Sequence, residues 1–541
     1  MIMKRYIYIL IVTALFAVSC SENFNGTDIP GADYASVSLS SSSAVVSAEA
    51  QVKSVFVASN RADLDIECNA DWVGVSIEGD ALHLYLDENT LSNSRLAVID
   101  VIAGTKPDVA KVRLKILQQG KHEDNLSKIG NANCYIAKCG ASYRFDASVK
   151  GNGKGDGNSR YIAKYGLELN GGSYAMLAWE STYDGDKTRS TKIIDGEPIY
   201  NAESGEIHFT TGDMEGNALI ALCNAYGDIL WSWHIWVMNE ELGVVPSRDL
   251  VWTDRNLGAL TNEVGNISNR GMLYQWGRKD PFLPSPVEYM KLPRHRYDEN
   301  YNLLEDEAEY NRVQSEIEQI RAIVNQNNTQ TGNGVLRWNY VGNEAPIAIN
   351  APGNLEFSVQ NPTMILACRT DIAIGEYVFD WYLLQDLQNS IGVMQQSQSL
   401  LWGDAEQGSD YKSIFDPCPV GYAVPPRNAF GQINSDYACT YLSEDWTLAD
   451  YGWQWSGGNK SYFPSSGNLD VSGLIGETGE KILYWTAETF GAEGFGKSAT
   501  LFEAYNDIYY GIYPLLDPAE AGAWYSYGAR CFAAPVRCVK E

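Results

Sequence analysis

From Val37 to Gly120 apolar residues fall at every second position, in short runs: "SVFVAS", "LDIECNADWVGVSI", "ALHLYLDEN", "RLAVIDVIA" and "AKVRLKILQQG". A helix would need a repeat of about 3.6 residues, so a period of two leaves strands, and turn residues between the runs make them antiparallel neighbours. Each strand then has one apolar and one polar face. Two such sheets closing on each other satisfy this pattern, and an Ig-like β-sandwich is expected over residues 37–121.

The whole chain has 541 residues, too many for one core, and domain sizes suggest three or four units. Lys and Arg total 40 against 68 Asp and Glu, a formal net charge of −28. Such a surface repels phosphate backbones and excludes nucleic acid as a partner. The 33 Tyr and 15 Trp, set among Gly, Asn, Asp and Ser, suit β-rich exported domains whose aromatic rings pack cores and line contact surfaces.

Residues 1–19, "MIMKRYIYILIVTALFAVS", place Lys4 and Arg5 before an apolar run too short for a permanent span, the pattern of an export signal. The run ends in "LFAVSC", which resembles the lipobox of bacterial lipoproteins; the plainer reading is a secretory signal with a chance cysteine. The resemblance implies cleavage before Cys20, diacylglycerol on its sulfur, and a protein held to the outer membrane of the cell envelope by lipid, with surface exposure left open. Residues 20–36 then form a polar tether. Nine cysteines remain, an odd number at irregular spacings, so at least one thiol is expected to stay free.

At "NADWVGVSIEG", "RLAVIDVIAG" and "VRLKILQQG" the first β region resembles the BACON domain of exported Bacteroidetes proteins. That resemblance implies a spacer or a carbohydrate-binding module. Trp72 lies among apolar strand residues and reads as core rather than as a platform.

A second β-sandwich is expected over 125–244. In "ILWSWHIWV", Trp231, Trp233 and Ile235 share one face and Ser232, His234 and Trp236 the other, so this strand is covered on both sides. The glycine-rich "KGNGKGDGNSR" lacks the Gly-Lys-Ser/Thr ending of a phosphate loop, and with no apolar helix expected after it, it reads as a hairpin. Cys134 and Cys139 have too few His or Cys neighbours for zinc.

Beyond residue 244, "DLVWTDRNLGAL", "NRGMLYQWGRKDPFLP", "SLLWGD", "KSIFDPCPVGYAVPP", "YFPSSGNLD", "ILYWTAE" and "GARCFAAPVRCVK" resemble, in this order, the paralogous domain first described as abundant in Fibrobacter succinogenes. The resemblance covers 245–541 and implies an α+β fold related to C-type-lectin-like and formylglycine-generating-enzyme-like domains. First and last strands pair in that fold, and long loops carry the binding surface. An insertion over about 285–400 departs from the compact form. Within it Leu303, Leu304, Ala308, Val313, Ile317, Ile320 and Val324 recur at helical spacing. The expected whole is multidomain and β-rich: two Ig-like β-sandwich domains, then an α+β C-type-lectin-like domain with a helical insertion.

Cys418, in "IFDPCPVGYAVPP", could be a nucleophile, a metal ligand or a structural thiol. Only His295 lies in this region to serve as its base, and no Cys-x-x-Cys pair is present, which leaves the structural reading. The lectin-like resemblance implies more, a disulfide between Cys418 and Cys538 on the last strand. "SEDWTLADYGWQWSGG" offers two readings, a Trp-rich loop packed on the domain or a saccharide platform in which Trp446, Trp453 and Trp455 stack on sugar rings while Asp450 takes hydroxyls. Glu197-Pro198 is followed by Ile199, not the asparagine of a calcium lectin.

These readings converge on a non-enzymatic, lipid-anchored binder of glycan or a surface protein, acting through its C-terminal lectin-like domain with no cofactor and no metal. The alternative is a structural, tip or accessory subunit of a surface fimbria or polysaccharide-utilisation complex.

Overall fold

The structure is a computed structural model that describes residues 34–541 apart from 155–158, 182–192, 248–249, 285–338, 342–350, 367–368, 372–375, 379–380, 382–400, 404–411, 427–428, 431–445, 450–451, 456–460, 470–474, 477–480, 490–497, 506–521 and 531. Cys20, Asp450 and the helix expected within 303–324 lie outside the described residues. The chain is β-rich and divides into two units, Met1–Lys121 and His122–Glu541.

The first unit has eight strands: β1 (Val37–Leu39), β2 (Ser43–Val46), β3 (Gln51–Ser59), β4 (Leu64–Cys68), β5 (Val73–Glu78), β6 (Ala81–Leu86), β7 (Arg95–Thr105) and β8 (Asp108–Gln118). They form two four-stranded sheets, ordered β1-β3-β6-β5 and β2-β8-β7-β4. The alternation in sequence becomes the wall of the core: Val55, Val57, Leu82, Leu84 and Leu86 from one sheet meet Ala97, Ile99, Val101, Leu114 and Ile116 from the other. Trp72 is half-buried on this core, with the Arg95 guanidinium 4.2 Å above its ring.

The closing "QQG" has a structural cause. Gln118 is fully buried, and its Nε2 donates to the carbonyls of Ala48, Glu49 and Asp87 while its Oε1 accepts from Arg95 Nε at 2.9 Å. Gln119 N donates to Val46 O at 2.9 Å. A side chain on Gly120 would stand 2.0 Å from the Ser92 carbonyl, so only glycine fits there.

The second unit begins with β9 (Glu123–Asn125), β10 (Cys134–Ala137), β11 (Ser142–Asp146), α1 (Ser159–Tyr165), β12 (Tyr174–Ser181), β13 (Ile194–Asn201), β14 (Glu206–Thr211), β15 (Gly216–Cys223) and β16 (Ile229–Val237). Their sheets are β10-β16-β15-β12 and β13-β14-β11-β9. The segment β16 is buried on both faces from Trp231 onward. Trp233 meets Phe145 of the opposite sheet at 5.1 Å, while Ser232, His234 and Trp236 bond to Asp280, Tyr274 and the Ala259 carbonyl. One hydrophobic cluster therefore runs without a break across residue 244, from Cys134 to Cys538.

After the glycine-rich turn comes a helix, contrary to the hairpin expectation: α1 puts Tyr161 5.2 Å from Phe415 and 6.5 Å from Trp231. Gly151 in that turn has φ +52°, and a Cβ there would be 2.2 Å from the Ile414 carbonyl. Close backbone approach, not phosphate binding, accounts for this glycine.

In the remainder, Val244–Ser247, Leu250–Thr253, Val539–Lys540 and Tyr422–Ala423 form one sheet in that order, so a strand at the start of the region pairs with the last. A second sheet joins Leu273–Gln275, Ala533–Pro535, Asn468–Leu469 and Ile475–Gly476. There are also two three-stranded meanders, Trp446–Ala449 with Gly452–Trp455 and Ser461–Pro464, and Lys481–Thr489 with Ser498–Tyr505 and Gly522–Ala529. Within the insertion a ten-residue helix, α2 (Ala351–Gln360), buries Leu355 and Val359 in the main cluster.

Candidate functional site

Cys418 and Cys538 are brought together as a disulfide, with Cα atoms 6.1 Å apart and a sequence separation of 120. The surrounding groups hold the turn rather than activate a sulfur. Asp416 Oδ1 accepts from Cys418 N at 2.7 Å and Oδ2 from Val424 N at 2.9 Å, and burial pushes the Asp416 carboxyl up to about 6. Lys412 Nζ donates to the carbonyls of Cys418 and Pro419 at 2.9 and 2.7 Å. Asn133 Nδ2 reaches the Ile414 and Asp416 carbonyls, and its Oδ1 accepts from Trp231 Nε1 at 2.9 Å. This side chain pins β16 to the disulfide turn.

Of the two readings of the Trp-rich stretch, Trp453 and Trp455 follow the packed one, and their place in a saccharide platform is corrected. Trp453 and Trp455 are each only 1% exposed and pack with Trp252, Phe430, Phe463 and Tyr484 in a core of their own. Trp455 meets Trp252 edge to face at 5.6 Å. A ring enclosed in this way has no face to offer a sugar. The signal was present in "GWQW": Trp453 and Trp455 are two apart on one strand, so they share a face, and that face is the one covered. Trp446 lies on the neighbouring strand, paired with Trp455.

Several charged residues of the second unit also lie inside it. Arg278, Lys279 and Asp280 are consecutive and all buried. Arg278 donates to Gln275 Oε1 at 2.7 Å and to the carbonyls of Met364, Ser358 and Asn361; burial lowers its guanidinium to about 10. Lys279 Nζ sits 2.5 Å from Asp280 Oδ1 and 2.6 Å from Ser232 Oγ, which itself donates to Asp280 Oδ1. Arg537 donates to Asn256 Oδ1 and to the carbonyls of Thr253, Asp254 and Tyr462, 4.3 Å above the Phe463 ring. His234, wholly enclosed, bonds Asn217 Oδ1 through Nε2 at 2.8 Å and Tyr274 through Nδ1 at 3.1 Å; burial pushes its imidazole down to about 3, so it is neutral. These groups satisfy buried carbonyls and amides.

Among the described residues, the outer face of β1-β3-β6-β5 presents exposed aromatic and polar side chains together. Alternation turns Val52, Ser54, Phe56 and Ala58 of β3 outward, with Ala81, His83 and Tyr85 of β6 and Gly74, Ser76 and Glu78 of β5. The registers align them in rows across the strands: Val52, Tyr85 and Gly74; Ser54, His83 and Ser76; Phe56, Ala81 and Glu78. Phe56 is 66% exposed, Val52 58% and Tyr85 47%. Ser54 Oγ and His83 Nδ1 are 2.8 Å apart in the middle row. Phe56 and Tyr85 stand four residues apart in register, about 13 Å along the strands, on a face completed by Val52 and by small or polar residues. Two aromatic contacts with a polar row between them suit an elongated ligand with apolar faces and hydroxyl groups. The sequence carried this signal as the outward half of the alternation, "V-S-F-A" against "A-H-Y".

No protein-family profile and no curated protein matches the chain. Among solved structures, one described as the NMR structure of the protein from Bacteroides thetaiotaomicron shares 19% identity, covering 18% of this chain and 96% of that one at a TM-score of 0.14. An I-band fragment of titin shares 10%, covering 37% and 64% at 0.13. An endo-fucoidan hydrolase from glycoside hydrolase family 107 shares 11%, covering 39% and 29% at 0.14. Likenesses at these scores decide neither fold nor function.

Proposed function

We propose that the chain is a lipid-anchored cell-envelope protein of the non-enzymatic, binding type, similar to Bacteroidetes exported lipoproteins. Its first unit reads as a BACON-like, Ig-type sandwich; its second combines another Ig-like sandwich with a C-type-lectin-like region. The ligand contact is assigned to the first unit, and its class is a neutral, elongated saccharide. A single observation carries this reading: Phe56 and Tyr85 are exposed on one flat sheet face with the Ser54–His83 pair between them. Aromatic faces stack on the apolar faces of sugar rings, and hydroxyl and imidazole groups between them take the sugar hydroxyls. The net charge of −28 disfavours anionic glycans.

The test is retention of the full chain on arrayed neutral and acidic glycans, beside Phe56→Ala and Tyr85→Ala. Retention on a neutral glycan that either substitution weakens about tenfold, as the loss of one good stacking contact would, supports the site. Binding that both variants keep moves the site to the second unit, and no retention on any glycan removes the saccharide reading. The alternative, a fimbrial or assembly subunit built by strand exchange, is disfavoured by the last strand, which is paired on both sides and comes directly after the disulfide-bonded Cys538.

A further inference from the structure

We infer that the first unit is built to bear tension along its long axis, as a load-carrying link between the segments that flank it in the chain. The chain enters at Tyr34–Ser36, beside the turn between β7 and β8. Ala35 N donates to Asp108 Oδ1 at 2.8 Å, and Arg61 holds the other oxygen of that carboxylate at 2.7 Å. Ser36 N donates to Asn60 Oδ1, and Asn60 Nδ2 to the Tyr34 carbonyl, both at 2.7 Å. The chain leaves at Gln118–Gly120, the other end of β8. That strand is eleven residues long, about 35 Å of extended chain.

Between these points β2 runs parallel to β8, with Ser43 opposite Lys115 and Val46 opposite Gln118. Lys115 N donates to Ser42 O at 3.0 Å and Gln119 N to Val46 O at 2.9 Å, so the ladder reaches one residue beyond the strand at each end. Polarity decides how this ladder meets a pull. Tension on the entering chain draws β2 towards the Asp108 end, and tension on the leaving chain draws β8 the other way. The two strands must slide lengthwise, which loads every hydrogen bond of the ladder at once. A hairpin pulled open from one end loads its bonds one after another and yields at lower force. The bonds from Gln118 Nε2 to Ala48, Glu49 and Asp87 latch the leaving end to both sheets.

The source of load in the cell rests on the anchored, ligand-binding reading above; the mechanical property does not, and purified protein tests it. The full chain is stretched between handles at its two ends in an optical trap. Opening of the first unit is recognised by the release of about 270 Å of chain. Ala44 lies midway between Ser42 and Val46, where an evenly spaced parallel ladder places the next donor. Ala44→Pro should lower the opening force about twofold, since forced opening follows the unfolding barrier. Val73→Ala, on the far edge of the other sheet, should leave the force unchanged at a comparable loss of equilibrium stability. Moving one handle into the exposed turn after Ala62, at the end where the chain enters, and pulling against the N-terminus, should peel the strands at a distinctly lower force than pulling end to end. Equal forces in the two directions, or equal effects of the two substitutions, would overturn the inference. The two pulling directions decide it alone if Ala44→Pro does not fold.

Discussion

The two units handle charge in opposite ways. In the first, the core is aliphatic and ion pairs lie on the outer face of β2-β8-β7-β4, where Asp100 is held by Arg113 at 2.8 Å and Lys111 at 2.8 Å. In the second, tryptophans fill the interior and Lys279, Asp280, Arg278 and Arg537 are buried among them. The cause is backbone regularity. Most of the first unit lies in ladders, whereas the second also buries turns and short strands whose carbonyls lie outside any ladder. Lysine, arginine and asparagine side chains supply the missing donors.

The comparison is broken most forcefully at the disulfide. Replacing Cys418 and Cys538 together by serine should destabilise the second unit by about 4 to 5 kcal/mol, read as a shift of its urea transition, with the first unit's transition unmoved. Next comes Lys279→Met, which strands the Asp280 carboxylate without its partner. A loss of about 3 to 4 kcal/mol is expected, whereas Arg113→Met in the first unit should cost under about 1 kcal/mol. Similar losses for these two would mean that burial does not separate the units.

A pH titration sharpens the same contrast. Neutral His234 titrates at about 3 when folded and near 6.5 when unfolded, so its contribution is complete above pH 6.5 and is lost as pH falls through that window. Asp416 titrates at about 6 when folded against 3.8 when unfolded, so its folded form keeps a proton the unfolded chain has shed, and stability falls as pH rises from about 4 to 6. The two slopes oppose each other there. Asp416→Asn should expose a rise in stability with pH between 4 and 6, and His234→Asn a fall of up to about 3 kcal/mol over the same range. Midpoints that stay level with pH in both variants would show that neither group is excluded from water.

Legibility in the sequence divides along the same line. In the first unit a period of two was enough to mark the strands and their faces, although it led to an all-antiparallel expectation that the parallel pairing of β2 with β8 corrects, and the latch made by Gln118 could not be read from it, because it depends on which distant carbonyls come within reach. In the second unit "ILWSWHIWV" announced a strand covered on both sides. The burial of the charges in "GRKDP" could not be read, because nothing local shows that unpaired carbonyls will draw them inside. Trp453 and Trp455 mislead for the complementary reason: aromatic residues among Gly, Ser and Asp suit a platform or a core, and only the partners Trp252, Phe430 and Phe463, remote in sequence, decide between them.

A ribosome delivers Trp252 about 290 residues ahead of Val539, its partner in the ladder. Until then Trp252, and Trp453 and Trp455 once they are made, lack the strand that completes their core, and Cys418 lacks its native partner Cys538. The first unit finds every one of its pairings within the stretch from Val37 to Gln118 and can close while the rest is still being made. The molecule is thus born at two tempos, an early module whose pairings are all made once Gln118 is in place and a late one that waits for Cys538 and Val539.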